Sequence, residues 1–222
     1  MSGVLERVSA RAEGVSAWEV AGAAAAVGVA AAVAYAWRLG VFSSMKVEKV
    51  ERAPMTVAVQ SLQCNVADLG GHFERVIGLF NEALPAFKNR HLPLGIYYDD
   101  PAALEDPDKL RVDVGVVLLG SDGSSKLDAD ENEIAKALKP HGLKLATIAK
   151  GEFVQGEWPF VNRLSFAIGP MKFYGKAMKI AAEESSIQGW TGSLEIHHMG
   201  AKPPYTEYVL PLTQAIQITD FK

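Results

Sequence analysis

A carboxylate set among aromatic side chains is the arrangement in this sequence with the most chemistry to offer. In the segment Ser193–Met199, which alternates as a β-strand does, Leu194, Ile196 and His198 share one face and Ser193, Glu195 and His197 share the other. If the apolar face meets the helices, Glu195 points away from them, towards a seam between repeated modules. The matching surface of the first half carries Tyr97, and nearby segments add Trp158, Phe160, Trp190, Tyr205 and Tyr208. A carboxylate ringed by aromatic faces attracts an organic cation through its charge and through the ring quadrupoles. Partial burial would raise its pKa and suit it to general-base work. The plainer alternative is a solvated strand glutamate beside aromatics that are ordinary core.

Other chemistry is poorly provided for. His197 and His198 are neighbours on a strand, so they project to opposite faces and cannot chelate one ion together. Asp128-Ala129-Asp130-Glu131-Asn132 opens like a calcium loop. However, Glu133 stands where that loop turns on glycine, and Lys139 stands where it needs a bidentate glutamate. No H-E-x-x-H, phosphate-cradling loop, nucleophile elbow or Cys/His pair occurs. The sequence thus presents no metal site, no cofactor motif and no complete catalytic set. Any hydrolysis would pass through Glu195, with Tyr97 or Tyr208 donating a hydroxyl to the developing charge.

The elements that must position these residues follow from periodicity. Residues 45–64 read as extended, broken at Pro54 into an edge strand or two short strands. Asp68 can cap a helix whose face is Leu69, Phe73, Val76, Phe80 and Leu84, ending at Pro85. Leu92–Tyr98 and Arg111–Leu119 read as strands, and a short helix runs from Asp130 to Leu138. Leu143–Val154 is extended. A second long helix is expected to begin at Pro170, with Met171, Tyr174, Met178 and Ala181 on its buried face. Trp190–His198 and Tyr205–Leu212 complete the pattern as antiparallel partners. Leu94-Gly95-Ile96-Tyr97-Tyr98 corresponds to Leu194-Glu195-Ile196-His197-His198 at an offset of 100 residues. The expected fold is α+β: duplicated β-α-β-β modules joined into one antiparallel sheet, with two helices on one face.

Ahead of this lies an apolar segment. Val20–Trp37 is 18 residues without a charge, long enough at the helical rise to cross the hydrocarbon core, with Trp18, Tyr35 and Trp37 at its ends. Ten of its residues are alanine, which keeps it only weakly apolar. Ala34-Tyr35-Ala36 also fits a signal-peptide cleavage site, although the preceding 19 residues are long for such a leader. A soluble alanine-rich helix would need a polar face, which is missing. Arg7 and Arg11 precede the segment and Arg38, Lys46, Lys49 and Arg52 follow it, a bias that puts the C-terminal side in the cytosol. The lone Cys64 excludes an intrachain disulfide, and a net charge of -4 without basic runs argues against nucleic acid. The expected division is a tail (1–19), a transmembrane helix (20–38), a juxtamembrane stretch (39–53), a ligand-binding domain (54–215) and a C-terminal tail (216–222).

Leu94-Gly95-Ile96-Tyr97-Tyr98-Asp99-Asp100-Pro101, then Pro107-Asp108-Lys109 and Asp113-Val114-Gly115, resemble the GyrI-like small-molecule-binding domain. His141-Gly142-Leu143-Lys144, Trp158-Pro159-Phe160, Leu194-Glu195-Ile196 and Leu210-Pro211-Leu212 extend the resemblance. It is nearest to the membrane-anchored branch typified by the testis-expressed ER-phagy receptor. The resemblance implies a GyrI-like/SOUL-type fold and a ligand seam with a central glutamate, which falls on Glu195. It implies sensors of hydrophobic cations, with some hydrolases of strained electrophiles in the same family. It also implies an endoplasmic reticulum membrane and an autophagy-related partner. The receptor branch carries an aromatic-x-x-aliphatic motif on a long tail. Here the sequence stops at Phe221-Lys222, and Phe73-Glu74-Arg75-Val76 fits the pattern only on a predicted helix. Receptor activity is therefore expected to act through a partner.

Overall fold

The protein's structure, a computed structural model, describes residues 16–100, 103–124, 127–184, 192–212 and 218–220. The chain divides into two compact units, Met1–Ser43 and Ser44–Lys222. The first holds helix α1 (Ala17–Arg38). Its start is set by a capping box: the Glu19 N–H donates to Ser16 Oγ, and the Ser16 N–H donates to Glu19 Oε2 at 2.8 Å. Arg38 sits in the last turn, where a cation complements the helix dipole. No residue of α1 is buried, and the helix is long and apolar enough to cross a bilayer.

In the second unit the strands are β1 (Val47–Arg52), β2 (Met55–Cys64), β3 (His91–Tyr97), β4 (Leu110–Leu118), β5 (Lys144–Ile148), β6 (Gly151–Pro159), β7 (Ser193–His198), β8 (Tyr205–Pro211) and β9 (Ile218–Asp220). They form one curled antiparallel sheet in the order β1-β6-β8-β7-β3-β4-β2-β5-β9. Pro54 does divide residues 45–64 into two strands. However, β1 goes to one edge while β2 lies inside the sheet between β4 and β5. The helices are α2 (Leu69–Ala83), α3 (Glu131–Leu138) and α4 (Ser165–Glu184).

The duplication is carried by the register. The modules β2-α2-β3-β4 and β6-α4-β7-β8 meet where β3 pairs with β7, and Leu94↔Ile196, Gly95↔Glu195 and Ile96↔Leu194 face one another. A pseudo-two-fold axis therefore passes between Gly95 and Glu195. Moving outward from it, β4 and β8 come next on either side, then β2 and β6.

Both faces of the sheet are buried. Helix α2 sets Leu69, Val76 and Phe80 on Val112, Val114, Val116 and Leu118, and α3 adds Ile134 and Leu138 to the same cluster. Helix α4 sets Phe173 and Ala177 on Val154, Trp158, Tyr208 and Leu210 of the same face. Burying a side chain of this kind stabilises the fold by roughly 1.5–3 kcal/mol. Among the described residues the opposite face has no helix. Its Val57, Val59, Leu94, Ile96, Val117, Phe153, Leu194, Ile196 and Val209 are covered by the curl of the sheet itself.

Helix α4 begins at Ser165, ahead of Pro170, which stands inside it. The start is held by side chains. Ser165 Oγ accepts the N–H groups of Val161 and Asn162, and Asn162 Oδ1 accepts that of Leu164 at 2.9 Å. The buried residues of the helix are Ser165, Gly169, Phe173 and Ala177. Met171, expected on the buried face, is 83% exposed, while Tyr174, Met178 and Ala181 pack at the border.

Candidate functional site

The centre of the sheet is asymmetric at one pair. Where β7 carries Glu195, β3 carries Gly95. A Cβ on Gly95 would stand 3.0 Å from Tyr97 Cε2 and 3.2 Å from Phe73 Cζ. Glycine thus lets the Tyr97 ring fold back across β3, bringing its hydroxyl to 3.5 Å from Glu195 Oε2. From α4, Tyr174 Oη donates to Glu195 Oε1 at 3.3 Å and lies 3.0 Å from Ser193 Oγ. When Tyr174 donates to the glutamate, the serine hydroxyl is left to donate to Tyr174. Tyr208 pairs directly with Glu195 across β8, and its ring is fully buried. Its hydroxyl lies against Gly169 of α4, so close that any Cβ there would overlap it, and that hydroxyl has no hydrogen-bond partner among the described residues.

This is the face that the helices cover, which reverses the expectation from sequence. Leu194 and Ile196 do form the more apolar face of β7, but the curling sheet buries that face against itself. The helices therefore pack over Ser193, Glu195 and His197. Glu195 is 8% exposed, and the space around it is filled by Tyr97, Phe73, Tyr174 and Tyr208.

Burial pushes the Glu195 carboxyl up from 4.5 to about 7, and the hydrogen bonds from Tyr174 and Tyr97 pull against that rise. Burial, then the nearby Glu195 charge, holds the Tyr97 and Tyr174 hydroxyls well above the ordinary tyrosine value. Tyr208 moves the same way for the same first two reasons. His197 follows Glu195 on the strand face. It lies between Phe73 of α2 (5.5 Å) and Phe166 of α4 (5.3 Å), with Nδ1 3.1 Å from Thr206 Oγ1. Burial, then the charge of His198, lowers its pKa from 6.5 to about 4.

Of the residues singled out in the sequence, the fold brings Glu195, Tyr97 and Tyr208 together. Trp158 is buried beneath α4 in the same cluster as Tyr208, with its indole N–H unpartnered among the described residues. Phe160 is half-buried and packs on Phe166 at 4.9 Å, beside His197. Trp190 lies outside the described residues. Tyr205 goes to the other face, stacked on His198 at 4.3 Å. Tyr174, Ser193, Phe73 and Phe166 complete the surroundings. Of these, Tyr174 and Phe73 had a signal in their helical spacing and Ser193 in its strand alternation, while Phe166 had none.

Over residues 45–184 the sequence matches the GyrI-like small molecule binding domain. The chain belongs to that family. The match ends before Glu195, which is joined to the GyrI-like region through the pairing of β7 with β3. Several solved structures are similar to the chain. One is an uncharacterized conserved protein from Listeria innocua, at a TM-score of 0.50 and 13% identity, covering 83% of this chain and 98% of that one. Another is SAV2435 bound to tetraphenylphosphonium, at a TM-score of 0.48 and 13% identity, covering 75% and 93%. A third is a hydrolase encoded by lin2189 from Listeria innocua, at a TM-score of 0.45 and 15% identity, covering 83% and 98%. At such identities the likeness is one of fold. No curated protein matches the GyrI-like chain.

Proposed function

We propose that this GyrI-like protein binds a small hydrophobic cation at Glu195. The observation that carries the reading is a carboxyl held out of water at the centre of the sheet, among the rings of Tyr97, Tyr174 and Tyr208. An organic cation would supply the charge that this carboxyl lacks, and the rings would supply attraction from their faces. The ligand enters between α2 and α4 by displacing the Tyr97 ring from above Gly95, and Trp158, Phe160 and Tyr208 form its apolar surroundings. The test is equilibrium binding of tetraphenylphosphonium to wild type and Glu195→Gln. The substitution should weaken binding by roughly 1–2 kcal/mol, about tenfold, with the fold retained. Unchanged affinity in a folded variant refutes the site.

The same chain is proposed to be anchored by residues 20–38 in the endoplasmic reticulum membrane with the GyrI-like domain, residues 54–215, in the cytosol. It would act there as an adaptor related to ER-phagy receptors. The apolar α1 and the basic residues that follow it support this placement. The Phe73-Glu74-Arg75-Val76 motif is folded into α2 with Val76 fully buried, so contact with autophagosome proteins would pass through a bound partner.

A second reading has one observation in its favour. A carboxyl near pKa 7 with two tyrosine hydroxyls beside it meets the needs of a general base with electrophilic help. It would be a hydrolase of small electrophiles. Turnover of activated esters or epoxides that disappears in Glu195→Gln, while tetraphenylphosphonium still binds, would favour this reading over the first.

A further inference from the structure

The pseudo-two-fold of the sheet extends to its helix-free face, and there the halves differ in one respect. Glu207 of β8 pairs with Ile196, as Asp113 of β4 pairs with Ile96. Both acids are buried, Glu207 at 6% exposure and Asp113 at 2%. Each is met by the residue at the end of the adjacent central strand. His198 Nε2 lies 3.2 Å from Glu207 Oε2, and Tyr98 Oη donates to Asp113 Oδ2 at 2.8 Å.

In the second half Arg52 completes the arrangement. Its Nη1 donates to Glu207 Oε1 at 2.5 Å and its Nη2 to Oε2 at 3.4 Å, the two-pronged geometry that guanidinium and carboxylate share. In the first half no described residue takes that place. Asp113 has Tyr98 as its hydrogen-bond partner among the described residues. Its carboxylate borders a pocket of about 370 Å3 with polar walls from Ser61, Gln63, Tyr98, Arg111 and Lys144. Arg111 is engaged with Asp99, which accepts from both Nε and Nη2. The pocket is of the size that holds a small molecule.

We propose that this pocket is a second ligand site, for a small molecule that carries both a guanidinium and a carboxylate. The guanidinium takes at Asp113 the position that Arg52 takes at Glu207. The carboxylate faces Lys144, whose charge, with that of Arg111, disfavours a guanidinium ligand that brings no carboxylate to meet it. The chain's own second half displays the recognition chemistry, and the first half keeps a buried carboxylate at the matching position, met by an aromatic ring from the strand end, with no guanidinium beside it among the described residues. The site lies on the opposite face of the sheet from Glu195 and does not depend on that reading.

The experiment is calorimetric titration of the full-length chain in detergent micelles with three probes: L-arginine, agmatine (the same guanidinium without the carboxylate) and L-citrulline (an uncharged urea in its place). L-arginine should bind one per chain, agmatine more weakly, and L-citrulline without detectable heat. Asp113→Asn, which keeps the acceptor for Tyr98, should weaken L-arginine by about tenfold or more. If that variant loses its circular dichroism signature, Lys144→Gln decides: it should lower the affinity for L-arginine and not that for agmatine. Equal binding of L-arginine and L-citrulline, unaltered L-arginine binding in the folded variants, or no L-arginine binding up to roughly 10 mM overturns the proposal.

Discussion

Between pH 4.5 and 6.5, Glu195 and His197 should pull the stability of the sheet in opposite directions and nearly cancel. Glu195 is raised from 4.5 to about 7, so the stability it contributes is complete below pH 4.5 and is lost as pH rises through 7. His197 is lowered from 6.5 to about 4, so its contribution is complete above pH 6.5 and is lost as pH falls through 4. At about 1.4 kcal/mol for each pH unit, either displacement is worth roughly 3 kcal/mol. Glu195→Gln removes one arm of the balance. Its stability relative to wild type should increase by about 3 kcal/mol as pH goes from 4.5 to above 7, less the weakening of its tyrosine hydrogen bonds. His197→Asn, which can still meet Thr206, should show the mirror image, losing to wild type as pH rises from 4 to 6.5. Because the two residues sit two positions apart on one strand face, the double variant should restore a nearly flat difference. The assay is urea unfolding of the unit Ser44–Lys222 across that range, followed by tryptophan fluorescence. A Glu195→Gln curve that runs parallel to wild type at every pH would mean that this carboxyl titrates as an ordinary exposed one, and would refute the reasoning.

Tyr174→Phe removes a hydrogen bond that lowers the Glu195 pKa, so the carboxyl should titrate above about 7 by carbon NMR of labelled glutamate. An unmoved or lowered value would mean that Tyr174 does not reach it. For the membrane reading, protease added to intact microsomes should degrade Ser44–Lys222. Protection would place that unit in the lumen, and a mature N-terminus near Trp37 would reveal a cleaved leader.

The duplication was legible because Leu94–Tyr98 and Leu194–His198 repeat in type as well as in spacing, and they turn out to pair with each other at the axis. Amphipathic α2 was legible for a similar reason: its apolar residues recur at three and four positions and each meets the sheet. The orientation of Glu195 was not. A strand with one apolar and one polar face normally turns the apolar one to a helix. Here the sheet curls enough to bury that face against itself, which depends on the whole topology rather than on six residues. The start of α4 was hidden for another reason. Proline is favoured in a first turn, but the caps supplied by Asn162 and Ser165 start the helix upstream of Pro170. Strand β9 is too short for its pattern to stand out, and it forms only by adding to β5.

A duplicated scaffold offers by default two equivalent positions, and an occupancy that climbs in two steps. The pairing of Gly95 with Glu195 removes that default at the centre of this protein. On the proposed reading, a molecule that settles on Glu195 would also cover Gly95, straddling both modules and excluding its own mirror image. Saturation there would be reached at one molecule per chain, along a simple hyperbola without cooperativity between halves. The two modules present unlike walls to that molecule, Tyr97 from one side and Tyr174 and Tyr208 from the other. A lopsided ligand therefore has one preferred way round, and a nearly symmetric scaffold gains the power to distinguish one end of a molecule from the other.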